Sequence, residues 1–235
     1  MAGGLYLLFE KMPENKFKNA IRFWSAESPL APHFMRRICP LVGYEYVRPL
    51  KEGDIVVDIG AYTGDYTIFA SRKVGPSGRV VAIEPDPNNV RRLRNNLRGE
   101  LDNVTVLEAA LWSTPGRMRF KFAECGLQSG PTVCVDETIR GVEDMVDVTT
   151  LDELIKGLKL PRVDVLKMDI EGAEIEVFKG CRTILANNSV HVCIASYHVV
   201  DGKTTSGIME QQLKDIGYMA FTGFPGHTTT FGWRA

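Results

Sequence analysis

Apolar positions along this chain follow two rhythms. Short β-branched runs predict strands, and stretches at helical spacing fall between them. Asp54–Ile59 is one such run, as expected of a strand covered on both faces. Gly60–Gly64 reads as a turn and Asp65–Lys73 as a helix, closed by Val74-Gly75-Pro76-Ser77-Gly78. Arg79–Glu84 predicts a second strand. Asp86 and Pro87 stand at the cap and first position of a second helix, Pro87–Leu97. Val104–Leu107, Val163–Met168 and Val190–Ala195 predict further strands, with helices at Leu151–Leu158, Ala173–Phe178 and Gly207–Ile216. The last two runs, Tyr218–Thr222 and Thr228–Trp233, flank Gly223-Phe224-Pro225-Gly226 and predict an antiparallel hairpin.

Alternation of strand and helix implies βαβ units and a doubly wound α/β domain over residues 51–235. Its sheet is expected to be seven-stranded, mostly parallel with one antiparallel strand. Ligands of such sheets sit at the C-terminal strand ends, where the strand order reverses. Two segments break the rhythm. Residues 1–50 carry Pro13, Pro29, Pro32, Pro40 and Pro49 among many aromatics. Prolines at that density cut helices short. The segment reads as a helical, aromatic cap or lid, or as a dimer contact. Residues 112–148 read as an insertion with a hairpin, its strands Arg117–Phe122 and Met145–Val148 flanking a Gly/Ser/Pro loop.

Composition narrows the partners. The 235 residues are 44% hydrophobic and 24% charged, ordinary for a globular domain. The formal net charge of -1 gives no global pull toward nucleic acid or an anionic membrane. Arg91, Arg92, Arg94 and Arg98 share one predicted helix and read as a solvated face. No apolar run reaches the roughly 18 residues of a membrane span. Met1–Phe9 is apolar, but it is short and lacks a basic start, so an amphipathic opening helix is expected rather than an export signal. The 5 cysteines, Cys39, Cys125, Cys134, Cys181 and Cys193, are odd in number and lack C-x-x-C spacing. Reduced thiols in a cytoplasmic protein are the expectation, with Cys125 and Cys134 near enough in sequence to pair.

The first βα turn is Asp58-Ile59-Gly60-Ala61-Tyr62-Thr63-Gly64. Glycine there permits a sharp turn and close approach of a ligand. The helix that follows offers free N–H groups and a partial positive charge. A dinucleotide fingerprint needs a second glycine where Tyr62 stands, and Tyr62 would crowd a pyrophosphate. S-adenosylmethionine carries no phosphate, and its carboxylate can meet these amides, with Asp58 near its ammonium group. Glu84, at the end of the second strand and 20 residues past Gly64, is placed to accept both ribose hydroxyls; Pro85 and Asp86 follow it. Asp86 also reads as a plain helix cap. Small residues at the third strand end, Ala110 in particular, suit a flat adenine.

The fourth core strand continues as Lys167-Met168-Asp169-Ile170-Glu171-Gly172. Alternation puts Lys167, Asp169 and Glu171 on one side if the strand runs that far. They read as an internal salt-bridge set or as acceptor-orienting carboxylates. His198 follows the next strand and reads as a packed histidine or as a general base, neutral near pH 7. Asp169, Glu171 and His198 have the chemistry to hold a divalent cation, although no metal is assigned.

Together Val57–Thr67, Ala82–Pro85, Thr150–Asp152 and Leu166–Glu174 resemble the FkbM family of methyltransferases, over roughly residues 51–220. The resemblance implies a Rossmann-like class I methyltransferase fold, S-adenosyl-L-methionine as cofactor, and O-methylation of a small-molecule or glycan acceptor. By match, Asp58, Gly60, Gly64 and Glu84 are cofactor residues, and Asp169 and Glu171 lie at the reaction centre. The chain departs from the family at Ser196-Tyr197, where many members carry an acidic residue, and in its first 50 residues. A nicotinamide-dependent oxidoreductase and a non-catalytic binding protein on the same fold stay open as alternatives.

Overall fold

The computed structural model describes residues 43–97, 101–123, 132–133, 141–187, 189–223 and 227–234. Seven strands form the main sheet: β1 (Ile55–Ile59), β2 (Arg79–Glu84), β3 (Val104–Glu108), β4 (Val165–Met168), β5 (His191–Ala195), β6 (Met219–Gly223) and β7 (Thr229–Trp233). Their order is β6-β7-β5-β4-β1-β2-β3. Neighbours from β5 to β3 run parallel, and β7 runs antiparallel to both β5 and β6. The order reverses between β1 and β4. Ile59 stands beside Ile83 and Met168, and Met168 beside Ile194, so the strand ends form one level rim.

The period-two pattern explains how the sheet is sandwiched. Val57, Ile59, Val81, Ile83, Leu166, Met168, Val192 and Ile194 turn to one core. Val56, Val80, Val165, Cys193 and Ala195 turn to the other. Helices α3 (Leu151–Leu158), α4 (Glu174–Lys179), α5 (Arg182–Asn187) and α6 (Ser206–Asp215) cover the first face through Leu151, Phe178, Leu185 and Met209. Helix α1 (Asp65–Val74) covers the second through Tyr66, Ala70 and Val74. Helix α2 (Pro87–Asn96) sends Leu93 against Ala61 and Ala82. Each fully buried Val, Leu, Ile, Phe or Met among them stabilises the fold by about 1.5–3 kcal/mol.

Several elements differ from the sequence pattern. Strand β4 starts at Val165, because the Asp164 side chain turns aside to accept from the Ile55 amide at 2.8 Å. It stops at Met168, so Asp169 and Glu171 lie in a loop and not on a strand face. Helix α5 is unforeseen. Asp152, from α3, accepts from the Thr183 and Ile184 amides at 2.8 and 2.9 Å and caps it from a distance in sequence.

Gly116–Ala123 and Gly141–Thr149 pair antiparallel, from Gly116 opposite Val148 to Ala123 opposite Gly141. Ala110–Leu111 joins this second sheet on one side and Thr132–Val133 on the other. Most of the 1–50 segment, with Cys39, lies outside the described residues. So do Arg98, Cys125 and Cys134. Cys181 and Cys193 are free and buried, and burial pushes both thiols up. Among the described residues no helix is long and apolar enough to cross a membrane.

Candidate active site

Two glycines shape the turn after β1 for steric reasons. Gly60 has φ 76°, and a Cβ on it would stand 1.9 Å from the Asp169 carbonyl oxygen. Gly64, at φ 95°, leaves room for Leu93, whose Cδ1 would meet a Cβ at 2.3 Å. Between them Ala61 is buried, and Tyr62 is exposed with φ 51°. The Thr63 carbonyl accepts from Asn96 Nδ2 at 2.8 Å, tying the turn to α2. No side chain caps α1 at Gly64. The first turn of a helix leaves amides without intrahelical partners, and here they face the rim.

Glu84 closes β2 and is 2% exposed. Its Oε2 accepts from the Tyr62 amide at 2.9 Å, and Oε1 accepts from the Asp86 amide at 3.1 Å and Asn89 Nδ2 at 3.2 Å. Burial pushes its pKa up against those donors. The carboxylate is thus fixed by its own loop, with Pro85 as the link to Asp86. Asp86 caps α2 by accepting from the Asn88 amide at 2.8 Å. Ala110 is only 2% exposed and packs with Phe120 and Val148 in the second sheet.

Asp58 and Lys167 form a buried pair across β1 and β4, 2.9 Å apart. Asp58 is fully buried and also accepts from Thr67 Oγ1 at 2.6 Å. Its charge is therefore matched from inside the protein by Lys167. Lys167 donates to the Gly60 carbonyl at 2.8 Å and lies 5.6 Å from the Tyr44 ring. Burial favours its neutral form, but Asp58 and then Asp169 outweigh that, and its pKa is raised. Its contacts tie β4 to the turn after β1.

Beyond β4, Asp169 accepts from the Tyr44 hydroxyl at 3.0 Å and the Tyr197 hydroxyl at 3.2 Å. Burial raises its pKa, yet Lys167, His198, His227 and the Tyr44 hydroxyl together hold it below the usual value. Glu171 adopts φ 57° and Gly172 φ 100°, which bends the loop back. Glu174 secures that bend: its Oε1 accepts from the Ile170 and Gly172 amides at 3.0 and 3.3 Å. The same oxygen lies 2.8 Å from His198 Nδ1. His198 Nε2 stands 3.6 Å from both Asp169 Oδ1 and Glu171 Oε2. Burial lowers the His198 pKa, but Glu174 first, then Asp169 and Glu171, raise it overall. It holds a proton more firmly than the ordinary imidazole read from sequence.

Asp169, Glu171 and His198 thus converge, while Lys167 and Asp58 lie beneath them. Sequence reasoning passed over Tyr44, Glu174 and His227 as site residues. Tyr44 arrives because Arg48 clamps Asp54 through two bonds of 2.7 and 2.8 Å, folding residues 43–50 onto the rim. The His227 ring meets Tyr44 at 5.3 Å and Tyr197 at 4.8 Å. Only Glu174 had a signal, its place in the Glu-Gly-Ala-Glu block. A cavity of about 650 Å³, lined by Arg72, Arg79 and Asn103, sits at the opposite end of the strands and carries none of this chemistry.

The family model for the methyltransferase FkbM domain matches residues 58–219, from Asp58 through the rim loops. The chain belongs to the FkbM methyltransferase family. Among FkbM-like relatives, the hexuronic acid methyltransferase AglP of Haloferax volcanii is 27% identical over 162 residues, covering 68% of this chain and 63% of AglP. The 2-O-methyltransferase NoeI of Sinorhizobium fredii is 26% identical over 150 residues, covering 57% of this chain and 60% of NoeI. The chain therefore spans less than two thirds of the length of these two relatives. A methyltransferase FkbM from Methylobacillus flagellatus shares the fold, with TM-score 0.55, 18% identity and 93% of this chain covered against 59% of its own. Fibrillarin of Aeropyrum pernix, solved with natively bound S-adenosyl-L-methionine, shares it at TM-score 0.55 and 15% identity, covering 83% of this chain and 74% of fibrillarin. The fold is that of the class I methyltransferases.

Proposed function

We propose that this FkbM chain methylates a hydroxyl on a small molecule or glycan, with S-adenosyl-L-methionine as donor. One observation carries the reading: an uncapped helix start and a buried carboxylate flank one side of the switch point, and a polar rim flanks the other. The amides that open α1 suit the donor's carboxylate, and Glu84 Oε2 retains a lone pair for a ribose hydroxyl. The donor supplies an activated methyl group when bound. The protein's own task is to hold the acceptor oxygen in line and to take up the hydroxyl proton as the O–C bond forms and the S–C bond breaks, with the His198 and carboxylate rim or water as its destination. Asp169 and Glu171 accept hydrogen bonds from an acceptor and fix its orientation. The relatives that methylate hexuronic acid and a 2-hydroxyl support a sugar-like acceptor. A nicotinamide reading is disfavoured by Tyr62, which stands where a pyrophosphate needs glycine.

Calorimetric titration with S-adenosylhomocysteine tests the donor half. Binding in the micromolar range is expected. A flat trace at hundred-micromolar ligand would remove the proposal. Mass-shift screening of uronic acids and other hydroxylated sugars then tests the acceptor.

A further inference from the structure

The rim holds more negative charge than its imidazole can match. Asp169, Glu171 and Glu174 surround His198, and one ligand atom each from Asp169, Glu174 and His198 lie within 4.8 Å of one another. His198 is 8% exposed, and its Nε2 is buried without a hydrogen bond. The 3.6 Å to Asp169 Oδ1 and to Glu171 Oε2 is too long for one. A buried ring nitrogen thus faces two carboxylate oxygens at equal distance, across a gap that neither closes.

We propose that His198 Nε2, Asp169 and Glu171 bind a divalent cation of the Mn²⁺ or Zn²⁺ class at the acceptor side of the crevice. Atoms that share an ion at about 2.1 Å stand roughly 3.0–3.4 Å apart. The observed spacings reach that with a few tenths of an ångström of movement. Glu171 is a third exposed on a bent loop, where a small side-chain rotation makes that adjustment. One imidazole with carboxylates is a ligand set such ions accept. Glu174 is the partner behind the ligand: facing Nδ1 at 2.8 Å, it favours the ring proton on that nitrogen and leaves the Nε2 lone pair for the ion. The Tyr44 and Tyr197 hydroxyls hold the Asp169 carboxylate in the same manner. Lys167 is paired with Asp58 and shares its charge with Asp169, so that one cation does not balance all the carboxylates. Three protein ligands leave positions open for an acceptor hydroxyl, which loses its proton to water more readily on an ion.

The ion's role rests on the proposed methyl transfer, but its binding does not. Metal-free full-length chain is titrated with Mn²⁺ while the electron paramagnetic resonance of the free ion is followed. One site of micromolar affinity is expected, weakened at least tenfold in Glu171→Gln and abolished in His198→Ala. The Glu171 side chain is partly exposed, so Glu171→Gln still reports if His198→Ala does not fold. A folded wild-type chain that takes up neither Mn²⁺ nor Zn²⁺ at millimolar concentration overturns the proposal. So does an affinity that Glu171→Gln leaves unchanged. Calorimetry with S-adenosylhomocysteine on the same samples separates the two readings: cofactor product bound without Mn²⁺ uptake refutes the ion alone, and Mn²⁺ uptake without it supports the ion and refutes the donor.

Discussion

The two sides of the crevice are made of different material. On the β1–β2 side, shape comes from the backbone, with Gly60 and Gly64 admitting neighbours at distances no side chain allows. On the β4–β5 side, shape comes from ionised groups: Asp169, Glu171, Glu174 and His198 hold one another in place. The backbone shape of the first side obeys steric rules, which salt and protonation do not alter, and Glu84 adds a charge to it. The second obeys electrostatics, where burial costs each charge and a neighbour must offset it. Asp58 and Lys167 join the sides, since a residue of β1 neutralises one of β4 beneath the turn. Substitutions should therefore fail in different ways on each side.

The largest effect is expected where the sides meet. Lys167→Met strands the fully buried Asp58 carboxylate and should cost about 3–5 kcal/mol of stability. Adding Asp58→Asn should return most of that loss, because the unpaired charge disappears. Urea unfolding of both variants reads the difference. A single variant as stable as wild type would mean that charge does not couple the sides.

Next comes the steric side. Gly60→Ala must hold a positive φ and displace the Asp169 carbonyl, so it should cost about 2–4 kcal/mol. Because that carbonyl opens the rim loop, Gly60→Ala should also disturb the β4–β5 side, whereas a rim variant such as Glu171→Gln should leave thermal stability nearly unchanged. Paired melting curves test this asymmetry. Equal losses would erase the distinction between the sides.

That same contrast explains what was legible in the sequence. The β1–β2 side is local: strand, Gly60, Gly64, Glu84 and the Asp86 cap follow one another, and each type of residue has a single-position reason. The sheet order was legible for a similar cause, since apolar runs of a fixed period have few ways to pack. The rim was only half legible. Asp169, Glu171 and His198 announced themselves as ionisable residues at strand ends. Their supports did not, because Tyr44 and His227 reach Asp169 through folding, from 125 residues away for Tyr44. The packing of Ala110 was hidden for the complementary reason. A small residue at a strand end suits a ligand, but it equally suits the second sheet, and only the packing of Phe120 and Val148 decides. The pairing of Asp58 with Lys167 was not legible, because nothing local reveals a partner on β4.

Glu84 gives a smaller but specific effect. In Glu84→Gln one amide group must face the Tyr62 or the Asp86 N–H, donor against donor. The variant also loses charged acceptance toward a ribose diol. Affinity for S-adenosylhomocysteine should fall about tenfold to a hundredfold, as expected for a charged hydrogen bond. Burial raises the Glu84 pKa, and its ionised form is the acceptor. Wild-type affinity should therefore decline with falling pH sooner than an ordinary exposed carboxylate would dictate. Calorimetry across the acid range checks both points, and an unchanged affinity in the variant would move the ribose contact elsewhere.

Asp86 supplies the finest test, because it stands two residues from Glu84 yet is engaged differently. Its side chain accepts from the Asn88 amide and starts α2, with Pro87 at the first helical position. Asp86→Ala should cost about 1 kcal/mol, the ordinary value of a lost cap. The Asp86 amide still donates to Glu84 after the change, so the carboxylate keeps its place. If the β1–β2 side works through backbone shape and Glu84 alone, affinity for S-adenosylhomocysteine should match wild type once both are measured well below their melting temperatures. A tenfold loss of affinity at unchanged enthalpy of unfolding would instead enrol Asp86 as a second side chain in contact with the ligand. The β1–β2 side would then depend on charge as the β4–β5 side does.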